Sequence, residues 1–227
     1  MSLAPADTIG PLRRERMRTA RLYFVCDARP RGEDPELLLR AALTGGVDIV
    51  QLREKELDRH AIERAAGTFR RLCDTYSVPF IVNDDPYLAH ACDADGVHLG
   101  QDDTPVAEAR EVLGSDAIIG LSTHTPDQVD AAAGVEYISA GPVWETPTKA
   151  GRPAAGLELV RHAAAHASVP FYAIGGIDPG NAREVVEAGA DRLCVVRAIR
   201  DAEDPAAAAE QLRRALSPGG QELAPGA

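Results

Sequence analysis

The chain has 227 residues, with 24 Lys and Arg against 35 Asp and Glu, a net charge of −11, 45% apolar residues and only 4% aromatics. Such a length and composition suit one soluble domain with a single good core. The acidic balance argues against bulk binding to nucleic acid or anionic lipid, though a local basic pocket is compatible with it. No apolar run approaches the ~18 residues of a membrane span.

Residues 1–19 carry Pro, Arg and Glu without the apolar core of a secretory signal, and are expected to form a flexible arm. The stretch SPGGQELAPGA at 217–227 reads as a disordered tail. Residues 20–216 are left for one catalytic domain. Cysteines at 26, 73, 92 and 194 lack metal-ligand spacing. They read as buried small hydrophobes in a reducing cytosol, which predicts a cytoplasmic protein. A homo-oligomer is compatible with the chain.

In chain order, eight short apolar runs predict strands: 21–26, 47–53, 79–83, 96–99, 117–121, 136–140, 170–174 and 192–196. Between and after them, helices are predicted over 35–44, 58–76, 86–91, 104–113, 126–133, 157–166, 179–188 and 204–215. The joints repeat. A helix tail, a Gly and an acidic or small residue precede a buried strand at Ala42, Ala91, Ala131 and Val186. Thr104-Pro105 and Asp178-Pro179 read as helix starts, a cap followed by proline at the first helical position. Eight βα units in about 200 residues predict a single-domain (β/α)8 TIM barrel. The alternative is a doubly wound sheet, but Cys26-Asp27-Ala28-Arg29 offers no Gly-rich phosphate turn after the first strand.

A barrel carries its chemistry at the carboxyl ends of its strands. After the second strand, period-2 alternation puts Gln51, Arg53 and Lys55 on one face, a candidate diphosphate cradle. The alternative is a solvated strand end. Asn83-Asp84-Asp85-Pro86 and Gly100-Gln101-Asp102-Asp103-Thr104 follow the third and fourth strands. One acid from each loop, Asp84 from the first and Asp102 or Asp103 from the second, would hold one Mg2+ that also takes oxygens from a substrate diphosphate. Asp85 reads as a helix cap.

Ser122, Thr123 and His124 follow the fifth strand. The hydroxyls could meet phosphate and His124 could carry a proton, with Thr125 as a helix cap; no nucleophile elbow surrounds Ser122. The longest loop, 141–151, carries Trp144, Thr146, Thr148 and Lys149. It reads either as a lid or as a mobile surface loop, and Trp144 as either packing or stacking. Gly175-Gly176 and Val196-Arg197 follow the last two strands, where such barrels often bind phosphate. His98, inside the fourth strand, reads as a core residue with a satisfied ring nitrogen. The residues alone thus predict two anion sites: one with Mg2+, Arg53 and Lys55 for a diphosphate, the other near Gly176 for a monophosphate.

The motifs QLREK (51–55), NDD (83–85), GVHLGQDD (96–103), GLSTHT (120–125), GPVWETPTK (141–149) and AIGGI (173–177), in that order, closely resemble the thiamine phosphate synthase family. The resemblance spans roughly residues 21–200. It implies that a hydroxymethylpyrimidine diphosphate loses pyrophosphate and that the nitrogen of a thiazole monophosphate attacks the exposed methylene. Both substrates are small molecules. Carried over, Asp84 and Asp103 bind Mg2+, and Gln51, Arg53, Lys55 and Asn83 meet the pyrimidine diphosphate. Ser122 lies near the pyrimidine, and Lys149 returns over the diphosphate. Thr146, Thr148 and Gly176 meet the thiazole phosphate, with backbone at Val196 and Arg197. Arg53, Lys55, Ser122 and Lys149 are the expected catalytic residues.

One departure stands out. Where the resemblance leads one to expect a small hydroxyl residue, this chain has Arg197. Either its side chain adds a charge to the phosphate site, or it points away while the backbone binds. The related thiazole tautomerase lacks the diphosphate chemistry, and Asn83-Asp84 with Asp103 favours the synthase. A sugar-phosphate isomerase or decarboxylase would need an acid or base pair that is not apparent, and a ligand sensor would need no metal site.

Overall fold

Short buried strands joined by helices close into a ring. The computed structural model describes residues 15–146 and 153–217. The strands are β1 (Leu22–Cys26), β2 (Ile49–Leu52), β3 (Phe80–Asn83), β4 (Gly96–Leu99), β5 (Ile118–Thr123), β6 (Tyr137–Ala140), β7 (Phe171–Ile174) and β8 (Leu193–Val195). Each pairs in parallel with the next, and β8 returns to β1 through Leu22↔Leu193 and Phe24↔Val195. This is the single-domain (β/α)8 barrel that the repeated joints predict.

Around it lie α1 (residues 15–19), α2 (Glu36–Thr44), α3 (Arg59–Tyr76), α4 (Pro86–Ala91), α5 (Val106–Leu113), α6 (Pro126–Asp130), α7 (Gly156–His166), α8 (Ala182–Glu187), α9 (Arg197–Arg200) and α10 (Pro205–Ala215). No helix among the described residues is long and apolar enough to cross a membrane.

Alternation sorts the strand side chains into two shells. Leu22, Phe24 and Cys26 point outward into the core beneath the helices, with Val50, Leu52, Phe80 and Val82. Tyr23, Val25, Ile49, Ile81, Ile118, Tyr137, Tyr172 and Cys194 point inward. Tyr23, Tyr137 and Tyr172 meet edge to face, with ring centroids 5.4–5.7 Å apart. Met17, only 4% exposed, and Ala20 join the inward group. Residues 15–19 of the expected flexible arm are therefore a helix seated on the barrel. Residues 1–14 and 218–227 lie outside the described residues.

The acids at the joints have a structural task. Asp48 Oδ2 accepts from the backbone of Arg21 and Leu22 at 2.8 and 3.0 Å. Asp95 Oδ2 accepts from Phe80 N at 2.8 Å, and Glu136 Oε2 from Ile119 N at 2.8 Å. Each acid thus takes amides at the start of the preceding strand, and each meets a helix arginine: Arg213, Arg70 and Arg110 at 2.6, 3.0 and 2.8 Å.

Two predicted helix starts differ. Pro105 is the residue before α5, extended at ψ 143°, and no side chain caps that helix. Thr104 is therefore not its cap. Asp178 closes a local turn by accepting from Gly180 N at 2.8 Å, and α8 begins later, at Ala182. At Pro105 the helix starts one residue late, at Val106, whereas Pro179 lies in a turn that precedes α8. The short α9 was not predicted; four residues carry too little periodicity to be seen in sequence.

The Asp95–Arg70 pair is nearly dry, with side-chain exposures of 0% and 13%. Removing one partner strands the other charge, so Asp95→Ala should cost about 3–5 kcal/mol. Glu158→Ala, at an exposed pair with Arg161, should cost less than about 1 kcal/mol. Urea denaturation of the two variants checks the contrast.

Candidate active site

Inside the barrel, the step of two residues continues upward from the apolar layer. It leads from Ile49 to Gln51 and Arg53, from Ile81 to Asn83, from Ile118 to Ser122 and from Tyr137 to Ser139. The lower layer is apolar and the upper layer polar. A cavity of about 310 Å3 opens at the carboxyl ends of the strands, above that change. Gln51, Arg53, Asn83, Ser122, Thr146, Gly176, Val196 and Arg197, all named from the sequence, line it.

Its floor is a chain of hydrogen bonds. Gln51 Nε2 donates to the Tyr23 hydroxyl at 2.6 Å, and Tyr23 and Tyr137 hydroxyls lie 2.8 Å apart. His98 Nδ1 is 3.0 Å from the Tyr137 hydroxyl, and His98 Nε2 is 3.0 Å from Ser122 Oγ and 3.4 Å from Ser139 Oγ. One proton arrangement satisfies every member. Gln51 donates to Tyr23, Tyr23 to Tyr137 and Tyr137 to Nδ1, which leaves the His98 proton on Nε2 facing Ser122. Burial pushes the Tyr23 and Tyr137 phenols well above their usual value, so the floor stays uncharged. Gly120 makes this possible: a Cβ there would overlap the Tyr137 ring and crowd His98 Nδ1.

His98 is therefore a buried residue with both ring nitrogens engaged, and it also faces the cavity. Tyr23, Tyr137 and Ser139 were not singled out in sequence. Their signal was inward parity: counting in twos from Gln51 on the paired strands reaches Ser139, and a polar group at an inward position must find a partner.

The rim carries the other charges. Arg53 N donates to Cys26 O at 2.9 Å, which orders the chain just past β2. Lys55 Nζ contacts Asp84 Oδ2. Asp84 sits in the left-handed region at φ 66°, an unusual conformation for a residue with a side chain. Its amide donates to His98 O at 2.7 Å, tying the β3 loop to β4. Asp103 Oδ2 accepts from Gly100 N at 2.6 Å, and Gln101 Nε2 donates to Ser122 O at 2.6 Å. Lys55, Asp84 and Asp103 stand outside the cavity lining, yet on neighbouring loops at the same end of the barrel. Asp85 caps α4 by accepting from Tyr87 and Leu88 amides at 2.8 and 3.0 Å, as read from the sequence.

Among the described residues, no group of three or more His, Cys, Asp and Glu is arranged to hold a metal ion. The donor set at the rim is two carboxylates, each holding one hydrogen bond through Oδ2. Two hard oxygen ligands fit a magnesium ion that keeps waters and takes phosphate oxygens from a ligand.

The far wall is a glycine corner at the end of β7. Gly175 and Gly176 have φ of 106° and 67°, and a Cβ on Gly175 would overlap Pro142. Asn181 Nδ2 donates to Gly176 O at 2.9 Å and fixes that peptide. His124 Nδ1 donates to Gly141 O at 2.5 Å. Trp144 packs against the outer core. Thr125 caps α6 by accepting from Gln128 N at 3.3 Å. Thr148 and Lys149 lie outside the described residues, as does most of the tip of their loop.

The model of the thiamine monophosphate synthase family matches residues 22–199. A thiamine-phosphate synthase of Streptomyces avermitilis is 50% identical over 207 residues, covering 89% of this chain and 96% of the relative. One from Thermobifida fusca is 50% identical over 207 residues, covering 89% and 95%. A solved thiamine phosphate pyrophosphorylase from Pyrococcus furiosus superposes with a TM-score of 0.79 at 35% identity, covering 89% of this chain and 96% of that one.

All four cysteines are buried, and burial pushes the Cys92 thiol from 9.0 up to about 11. In the unfolded chain that thiol ionises near its ordinary value; in the folded chain it holds its proton longer. The native state then binds more protons across that window, so stability falls as pH rises from about 9 to 11. The buried phenols add to the same trend above pH ~10. Urea midpoints at pH 8 and pH 10.5 should show the decline; a flat or rising midpoint would contradict it.

Proposed function

Because the chain belongs to the thiamine monophosphate synthase family, we propose that it makes thiamine monophosphate. It joins a hydroxymethylpyrimidine diphosphate to a thiazole monophosphate and releases pyrophosphate. The observation that carries this reading is one cavity lined by a cation and amides on one side and by a glycine pair and an arginine on the other. Two anionic small molecules can meet there, with the polar floor between them. The setting is cytoplasmic.

The pyrimidine diphosphate rests on Gln51, Arg53, Lys55 and Asn83. Gln51 and Ser122 orient the ring, since both belong to the hydrogen-bonded floor. Asp84 and Asp103 hold Mg2+, which when bound neutralises charge building on the departing pyrophosphate. Arg53, Lys55 and Lys149 supply further positive charge at the same leaving group. Cleavage of the C–O bond leaves its electron pair on pyrophosphate and a cation on the pyrimidine methylene. The thiazole nitrogen then closes the new C–N bond with its own lone pair, so no general base is needed. Thr146, Thr148 and Gly176, with backbone at Val196 and Arg197, hold the thiazole phosphate so that the nitrogen stands in line.

Incubation with both substrates and Mg2+ should yield thiamine phosphate, and EDTA should abolish it until Mg2+ is restored; no product in the presence of Mg2+ rejects the reading. Asn tolerates the left-handed backbone of Asp84, so Asp84→Asn keeps the fold. It should lower turnover by about a hundredfold or more. Unchanged turnover at limiting Mg2+ removes Asp84 from the metal shell. Lys149→Ala should slow pyrophosphate release in a single turnover more than it weakens thiazole binding. Normal chemistry with weaker thiazole affinity would move Lys149 to the other substrate.

A further inference from the structure

The acceptor end of the cavity contains three charged residues besides its glycines: Asp178, Arg197 and Asp201. Two are acids, which would repel a phosphate. Both are already engaged. Asp178 Oδ1 accepts from Gly180 N at 2.8 Å. Asp201 is gripped through both oxygens by Arg200, at 2.7 Å from Nε and 3.0 Å from Nη2. Arg200 is itself anchored across the seam of the barrel by Asp27 Oδ2 at 2.8 Å. Asp27, Arg200 and Asp201 thus form a fixed triad tying α9 to the end of β1.

Arg197 is different. It is exposed, it lines the cavity, and its side chain has no hydrogen bond or ion pair with any described residue, its carbonyl alone accepting from Asp201 N at 2.9 Å. Its charge is felt at Asp201, but Arg200 is the principal cause of that carboxyl's lowered pKa. A long, flexible cation one turn away from an acid would ordinarily fold onto it. Here the acid is already taken, so the guanidinium keeps its hydrogen-bond donors for a ligand.

We infer that the Arg197 side chain binds the phosphate of the thiazole acceptor and makes this site select phosphorylated over unphosphorylated acceptors. Arg200 is the positioning residue that keeps Asp201 from capturing it. This rests on the proposed acceptor reading and deepens it. A small hydroxyl at this position would give one neutral hydrogen bond. A guanidinium gives a planar fork of donors and a permanent charge, matched to phosphate oxygens. In a chain of net charge −11, that local charge also decides which anions approach this wall.

The test compares wild type, Arg197→Met and Arg197→Lys with the thiazole phosphate and with the corresponding thiazole alcohol, at saturating pyrimidine diphosphate and Mg2+. For the phosphorylated acceptor, Arg197→Met should raise KM by roughly tenfold to a hundredfold, the loss falling on KM more than on kcat. KM for the alcohol should barely move, so discrimination between the two collapses by the same factor. The rise of KM with salt should flatten in Arg197→Met, and Arg197→Lys should recover part of the loss. A KM within twofold of wild type, or equal losses for both acceptors, overturns the inference. Calorimetric titration with inorganic phosphate reads the same wall without turnover. Wild type should bind at least tenfold more tightly than Arg197→Met, and equal binding overturns the inference. If wild type makes no thiamine phosphate yet the phosphate titration still separates the variants, the proposed reaction falls and the role of Arg197 stands.

Discussion

A single hydrogen-bonded chain, from Gln51 through Tyr23, Tyr137 and His98 to Ser122, crosses the inside of the barrel where its apolar half meets its polar half. A buried polar group without a partner costs roughly 1–3 kcal/mol, so no member of such a chain can be shifted alone. The chain draws on β1, β2, β4, β5 and β6, and it holds them in one register. It also gives the cavity a floor of fixed polarity. Gln51 and Ser122 reach the cavity as ends of a network whose proton order is set from the other end.

The rest of the molecule manages charge around that floor. Arg70, Arg110, Arg200 and Arg213 are each committed to acids at helix-strand junctions or barrel seams. They hold the frame. Arg53 and Arg197 both line the cavity, after β2 and β8, and Lys55 stands at the rim on Asp84. Among the described residues, Arg53, Lys55 and Arg197 thus bring positive charge to one mouth of an acidic protein. The Gly175-Gly176 corner lets the chain pass close to Pro142 and Trp144 there, where any side chain would intrude.

Much of this was legible in the sequence, for physical reasons. A buried parallel strand needs a run of apolar residues, and a helix end needs a Gly or a cap, so the eight repeats could be counted from their joints. Polar residues at the carboxyl ends then had to be the site, because the barrel leaves nowhere else for them to converge. Other features were not legible. Asp48, Asp95 and Glu136 read only as acidic punctuation, since their task depends on the amides of a strand 15 to 27 residues earlier. Tyr23 and Tyr137 fall within predicted buried strands, and what a sequence does not display is that their hydroxyls meet. Thr104-Pro105 and Asp178-Pro179 marked the approach to a helix, which begins at Val106 after the first and at Ala182 after the second. Whether a helix begins at once or some residues later was decided by the loops of the barrel mouth.

The way the ring is fastened also bears on how it must be made. β1 pairs with β8, more than 170 residues downstream, and Arg213 of α10 grips both Gly46 O and Asp48 Oδ2 at the entrance of β2. A chain emerging from its amino end therefore carries an open sheet with β1 as a bare edge until nearly its last helix is available. Such edges invite pairing with other chains, and loop closure over that span is slow. The seam between the first and last strands is where an interrupted or shortened chain would be most exposed to aggregation.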